Sequence, residues 1–235
     1  MAVRRYKGKK SLKKPDEFIT FSARLLQAVI LHRNKIYAAL GGIVVLVLIV
    51  SAVNYFSQKA ESRSMLMLSK AIDRYAALQS ESGDVEAYNG VKTDLVQIVD
   101  TYENKSGGKF ANFFLANCSF AAGEYEVSAT HYQRAMTDFK AVYPFETLAK
   151  SSLGYALAQQ GDHEAAADVF EDLSAVEPLG MEDEVLFALA RQYGAMGKTD
   201  LEKETAQKLI ETYPESIYTN VVKEKIPSPA AQPAG

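Results

Sequence analysis

One cysteine, Cys118, is all that 235 residues contain. That excludes an intramolecular disulfide, a zinc site of the CxxC kind and a cysteine redox pair. After Lys59 there is no sustained period-two alternation, so strands are not expected. A phosphate-cradling glycine loop is missing as well, because Gly107-Gly108-Lys109 lacks the rest of that motif. The histidines, His32, His131 and His163, are far apart, so solvated positions are expected rather than a metal site. No Ser-His-Asp or Cys-His spacing is recognisable. Glu182-Asp183-Glu184 falls at a predicted helix start, where carboxylates complement the helix dipole and stay solvated. The expectation is therefore no enzyme, no cofactor and no catalytic or metal-ligating residue. Cys118 lies in an apolar helix and reads as a buried, inert thiol.

Charge is present but unevenly placed. The formal net charge is -3, yet residues 1–58 hold ten Lys and Arg against Asp16 and Glu17, a net of +8. The rest of the chain holds 16 basic and 27 acidic residues, a net of -11. Such a split suggests two different electrostatic surroundings. Within the basic portion, Ile36 to Gln58 gives 23 positions without a charge, eleven of them Leu, Ile or Val. About 20 residues at 1.5 Å each cross a hydrocarbon core. Eleven aliphatic residues favour insertion by about 3 to 7 kcal/mol as an upper bound. Tyr37, Tyr55 and Phe56 sit near the two ends, where aromatic rings suit the interface. The basic flank should stay in the cytoplasm and the remainder be exported, which in a bacterium means the periplasm. A cleaved signal peptide is the rival reading. The basic region, at roughly 35 residues, and the apolar run are both longer than a signal peptide's, and Ser51-Ala52-Val53 matches a cleavage site only loosely.

Ahead of the span, residues 16–35 place Phe18, Phe21, Leu25, Val29 and His32 at spacings of three and four. This pattern fits an amphipathic juxtamembrane helix, lying on the membrane face, extending the membrane helix or serving as a docking helix. Residues 1–15 read as a disordered basic cytoplasmic tail, and nucleic-acid binding is not expected.

Residues 59–225 read as helix throughout. Met65, Leu68, Ile72, Tyr75 and Leu78 form one stripe, and Gly83-Asp84 breaks it with Asp84 as N-cap. Val85, Tyr88, Val91, Leu95, Ile98 and Tyr102 form the next, and residues 104–108 read as a loop. A longer period follows: Leu153-Gly154, Gln160-Gly161-Asp162, Ala166, Phe170 and Pro178. Gly154 lets two helices approach closely, and Gly161 supplies a turn conformation that side chains resist. Asp162 can cap the second helix, Ala166 is small at a crossing, Phe170 fills the space between units and Pro178 ends the helix. The pattern resembles the tetratricopeptide repeat. Leu115-Ala116, Gly123-Glu124, Ser128 and Tyr132 repeat it upstream; Leu189-Ala190, Gly197-Lys198, Ala206 and Pro214 repeat it downstream. The turn glycines are 38 and 36 residues apart, against a repeat norm of about 34. The repeats are degenerate: Lys150 stands where Trp is common, Ala116 and Ala190 replace Gly, and Glu202 replaces Ala. The helices at 59–104 read as an atypical capping unit, and 216–225 as a closing helix. Residues 226–235 read as a flexible Pro/Ala tail.

The fold class that follows is all-α: a single transmembrane helix over 36–58, then a tetratricopeptide-like helical hairpin solenoid over 59–225. In such a stack the first helix of each hairpin lines a concave face. The family's inward positions, carried over, are Phe110, Phe113, Asn117 and Phe120, then Ser151, Tyr155 and Gln159, then Phe187 and Arg191. These aromatics with scattered polar groups suit an extended or helical peptide. The alternative is that Phe110, Phe113 and Phe120 pack against the helices at 65–102.

The whole plan resembles the ancillary subunit of the Sec translocon, a bacterial inner-membrane family. The features that carry the resemblance are Arg33 to Lys59 as anchor, the helices at 59–104, and the units around Gly123, Gly161 and Gly197. It implies a membrane-anchored, protein-binding adaptor in the inner membrane, linking the translocon to periplasmic chaperones or emerging exported chains. A scaffold for another cell-envelope complex is the alternative.

Overall fold

The computed structural model describes residues 17–176 and 180–225. The expected tails at 1–15 and 226–235, and Pro178, lie outside these residues. The regular structure among the described residues is helical. The chain divides into two compact units, Met1–Ser57 and Gln58–Gly235.

The first unit holds α1 (Glu17–Leu31) and the beginning of α2 (Arg33–Ser82). Only His32 separates them. Its N–H donates to Ala28 O at 3.0 Å, and its own carbonyl accepts from Ile36 N–H at 3.0 Å. Phe21, Leu25, Leu26 and Ile30 of α1 are exposed, and so is every residue from 37 to 56. Among the described residues, α2 is the one helix long and apolar enough to cross a membrane, and no part of its apolar window is buried in the fold. There is no helix boundary at 58/59: the apolar run and the first repeat helix belong to one 50-residue element.

The second unit is a run of antiparallel hairpins. After α2 come α3 (Asp84–Thr101), α4 (Ser106–Ala121), α5 (Tyr125–Asp138), α6 (Phe145–Gln160), α7 (His163–Ser174), α8 (Glu182–Ala195), α9 (Thr199–Thr212) and α10 (Ile217–Lys225). From α3 onward each helix packs on its neighbour in sequence, and α10 packs on both α8 and α9. The cores follow this order. Leu68, Tyr75, Tyr88, Leu95, Ile98 and Leu115 join α2, α3 and α4. Ala116, Tyr132, Leu153 and Ala156 join α4, α5 and α6. Phe170, Leu173, Val185 and Leu189 join α7 to α8, and Leu186, Leu209 and Val222 join α8, α9 and α10.

Turn chemistry sets the hairpins. Gly123, Gly161 and Gly197 have φ of 82°, 85° and 71°, the left-handed region where a side chain is strained. Asp162 caps α7, its Oδ1 accepting from Ala165 N–H at 3.1 Å. A Cβ built on Gly154 would sit 2.7 Å from the buried Phe170 ring, so this glycine is needed for approach.

Four local expectations need correction. The buried face of α2 is Ser64, Leu68, Ala71 and Tyr75, whereas Met65 and Ile72 are 42% and 39% exposed. Val85 is likewise exposed at 50%, off the buried face of α3. Gly83, not Asp84, caps α3; Asp84 Oδ1 instead accepts from Gln79 Nε2 at 2.7 Å and Tyr75 OH at 3.3 Å, tying the turn back onto α2. Residues 106–108 belong to α4 rather than to a loop. Gly107 and Gly108 are buried there, packed so closely that a Cβ would strike Ser64 on one and the Tyr102 backbone on the other.

Candidate protein-binding groove

The candidate face is built by the first helices α4, α6 and α8, each of which follows a second helix and leads to a glycine turn. The nine residues expected to line it do not behave alike. Phe110 packs on Phe139 and Phe145, with ring centroids 4.9 and 5.1 Å away. Phe113 meets Tyr132 and Phe139 edge to face at 5.9 and 6.3 Å. These two phenylalanines are half-buried and weld α4 to the helices that follow it. Of Phe110, Phe113 and Phe120, Phe110 packs in part on the core of α2 and α3; Phe114, not among the three, meets Tyr75 edge to face at 5.4 Å.

Ser151 is corrected outright: it is 3% exposed and offers no surface to a partner. Its neighbour Ser152 takes that place. Phe120, Tyr132, Ser152 and Tyr155 line a pocket of about 240 Å³ where α4, α5 and α6 meet. The polar ends of its aromatics are already satisfied. Tyr132 OH donates to Asn117 Oδ1 at 2.6 Å, and Tyr155 OH donates to Glu184 Oε1 at 2.9 Å. Burial first, and then the Glu184 carboxylate, push the Tyr155 phenol well above its ordinary pKa. Both hydroxyls are fixed donors, so the rings are pre-set and show the pocket apolar faces. Phe120 is half-buried and meets Tyr125 edge to face at 5.4 Å; Gln159 is exposed.

A second pocket of about 250 Å³ lies between α8, α9 and α10, lined by Phe187, Arg191, Gly194, Glu202 and Val222 among others. Phe187 stacks on Tyr218 of α10 at 4.8 Å, and the Arg191 guanidinium lies 5.9 Å from the Phe187 centroid. Glu202, which replaces the repeat's usual Ala, fills the space a Cβ on Gly194 would need. Lys150, at the usual Trp position, reaches Asp172 Oδ2 at 3.0 Å.

One line of contacts thus runs across successive first helices: Phe120 and Tyr155 around one pocket, Tyr155 to Glu184, and Phe187 to Tyr218. Sequence reasoning missed Tyr132, Ser152, Glu184 and Tyr218. Glu184 was expected only to solvate a helix start; nothing in the sequence shows that its carboxylate meets Tyr155 from 29 residues away. Among the described residues no group of three or more His, Cys, Asp or Glu is arranged to hold a metal. Cys118 is 1% exposed, and burial pushes its thiol up to about 12, which leaves it unreactive.

An all-helical stack of hairpins with glycine turns and a first-helix face defines a repeat protein of the protein-binding kind. The chain belongs to the tetratricopeptide repeat-like domain family, whose model matches residues 33–185. A tetratricopeptide repeat model matches residues 184–216, which is the α8–α9 hairpin. No curated protein matches the chain. Among solved structures the chain is similar to a Podosopora anserina protein described as a kinesin light chain with nearly identical TPR-like repeats. The identity is 17% over 68% of this chain and 77% of that one, with a TM-score of 0.49.

Proposed function

We propose that this protein is a membrane-anchored adaptor that binds partner proteins on the first-helix face, with its N-terminus cytoplasmic and its repeats in the periplasm. It carries no catalytic site in this reading. The observation that carries it is the aromatic pocket of Phe120, Tyr132, Ser152 and Tyr155, whose phenols are tied off internally and whose apolar surface is left for an incoming side chain. The anchor is supported by the exposed apolar run at 37–56 and the Lys and Arg ahead of it. The family match begins at Arg33, so it takes in that run together with the repeats. This favours a retained anchor over a cleaved signal. The partners proposed are the Sec translocon together with periplasmic chaperones or emerging exported chains, which the adaptor would hold at high effective concentration. Assembly of another envelope complex is the second reading, since the same pocket would serve it.

Photocrosslinking in native membranes from a probe at Phe120, and from a second at Gln159, tests the proposal. Adducts with translocon subunits, chaperones or exported chains are expected. Reproducible adducts with a different envelope machine select the scaffold reading, and none at either position means that the face does not bind proteins.

A further inference from the structure

Two unusual residue choices meet in the pocket between α8, α9 and α10. Glu202 stands where the repeat has a small residue, and Gly194 falls within α8. They fit each other: a Cβ on Gly194 would sit 2.8 Å from Glu202 Oε1 and 3.1 Å from Oε2. A glycine within a helix weakens it, and a half-buried carboxylate gives up water. The fold returns nothing for either. Among the described residues no cation lies within ion-pair distance of Glu202, and no donor bonds its carboxylate. A local rule broken without a return inside the molecule points to a return outside it.

Arg191, which is exposed, is the other charged residue lining this pocket among the described residues. Its guanidinium lies over Phe187, one turn toward the start of α8, whereas the Glu202 carboxylate lies over Gly194, toward the end of that helix. From 187 to 194 is seven residues, so the two charges are held roughly 10 Å apart at 1.5 Å per residue. They therefore share one pocket without forming an ion pair. Between them lie Ala190, Ala206 and Val222, buried and apolar. The pocket continues the first-helix face. Phe187 stacks on Tyr218, Glu184 on the same helix accepts from Tyr155, and the Arg191 charge acts on the Tyr155 phenol.

We propose that this pocket reads a pair of opposite charges on a partner polypeptide: an acidic side chain on Arg191, a basic one on Glu202, and an apolar one between them. The inference rests on the protein-binding face proposed above and names the chemistry of its partner. In an extended chain roughly 10 Å spans about three residues, so the acid and the base stand about three positions apart. The pair also sets direction, with the acid toward Phe187 and the base toward Gly194.

The test selects peptides from a random library displayed on phage against the full chain in nanodiscs, then titrates an enriched peptide by fluorescence anisotropy. Enriched sequences are expected to carry an acid and a base with an apolar residue between them. Changing the peptide's base to Gln, or Glu202→Ala in the protein, should each weaken binding about fivefold, and both together no more than either alone. The peptide's acid and Arg191→Gln should behave in the same way. Glu202→Ala restores the repeat's usual residue and Arg191 is exposed, so both variants should melt as the parent does. Arg191→Glu/Glu202→Lys should prefer the peptide with acid and base exchanged, an outcome that lost stability cannot give. Effects that add independently overturn the inference. So do enriched peptides without the charge pair, and if their binding falls in Phe120→Ala the protein-binding face still stands. Enrichment of no peptide removes the face and this inference with it.

Discussion

Tyr88 places a phenol oxygen in the interior with no hydrogen-bond partner among the described residues. A buried donor left unmade costs more than a methine of the same shape. Tyr88→Phe is therefore expected to hold or raise stability, by up to about 1 kcal/mol, in thermal unfolding. A clear loss would reveal an ordered water on that oxygen. His131 offers a second case. Its Nδ1 lies 2.8 Å from Asn112 Oδ1, and Asn112 Nδ2 donates to His131 O at 3.1 Å. Burial, then Arg134 and Lys92, lower its pKa. The unfolded imidazole titrates near 6.5, so below about that pH the unfolded chain takes up more protons and stability falls; above it the contribution is complete. The melting temperature should drop between pH 7.5 and 5, and His131→Gln should drop less. Equal slopes would mean that His131 is charged in the fold. Neither residue's role was legible in the sequence, because each depends on a neighbour in another helix.

At the scale of the element, glycines that look alike do different work. Gly161 has φ of +85° and open space around its Cβ position, so Gly161→Val strains the backbone alone, at roughly 1 kcal/mol or more. Gly154 has a Cβ position 2.7 Å from Phe170, so Gly154→Ala overpacks a core, costing about 1–3 kcal/mol. Adding Phe170→Leu should recover part of the Gly154→Ala loss and none of the Gly161→Val loss, as judged by denaturant midpoints. If both double variants behave alike, the two glycines share a cause. The repeat spacing made Gly154 and Gly161 readable in advance, since turn and crossing recur with the period. Gly107 and Gly108 were not readable: they fall outside the repeat pattern, and their need comes from Ser64 and Tyr102, which only the fold brings near.

For the molecule as a whole, contact is made between neighbours along the stack, so stability should be passed from hairpin to hairpin. Leu209 is fully buried among α8, α9 and α10. Leu209→Ala should cost about 2–5 kcal/mol locally. Hydrogen exchange is expected to speed up over α8–α10 and to leave α3–α5 protected. Uniform loss of protection would show a single cooperative unit instead. The same linear design explains how far the candidate site could be foreseen. Phe120, Tyr155, Phe187 and Arg191 were placed from repeat register and do line pockets. Ser151 was placed by the same rule and is buried, and its neighbour Ser152 lines the opening instead.

The sequence alone determined the helical class, the hairpin period and the turns at Gly123, Gly161 and Gly197, because these depend on spacing and on backbone conformations that few residues accept. It also marked the uncharged run at 36–58, which needs only composition to be seen. The tertiary structure decided that this run and the first repeat helix form one element, that Tyr155 answers to Glu184, and that Phe187 stacks on Tyr218. Those facts join residues far apart in the chain, and local pattern holds no record of which distant side chains will meet.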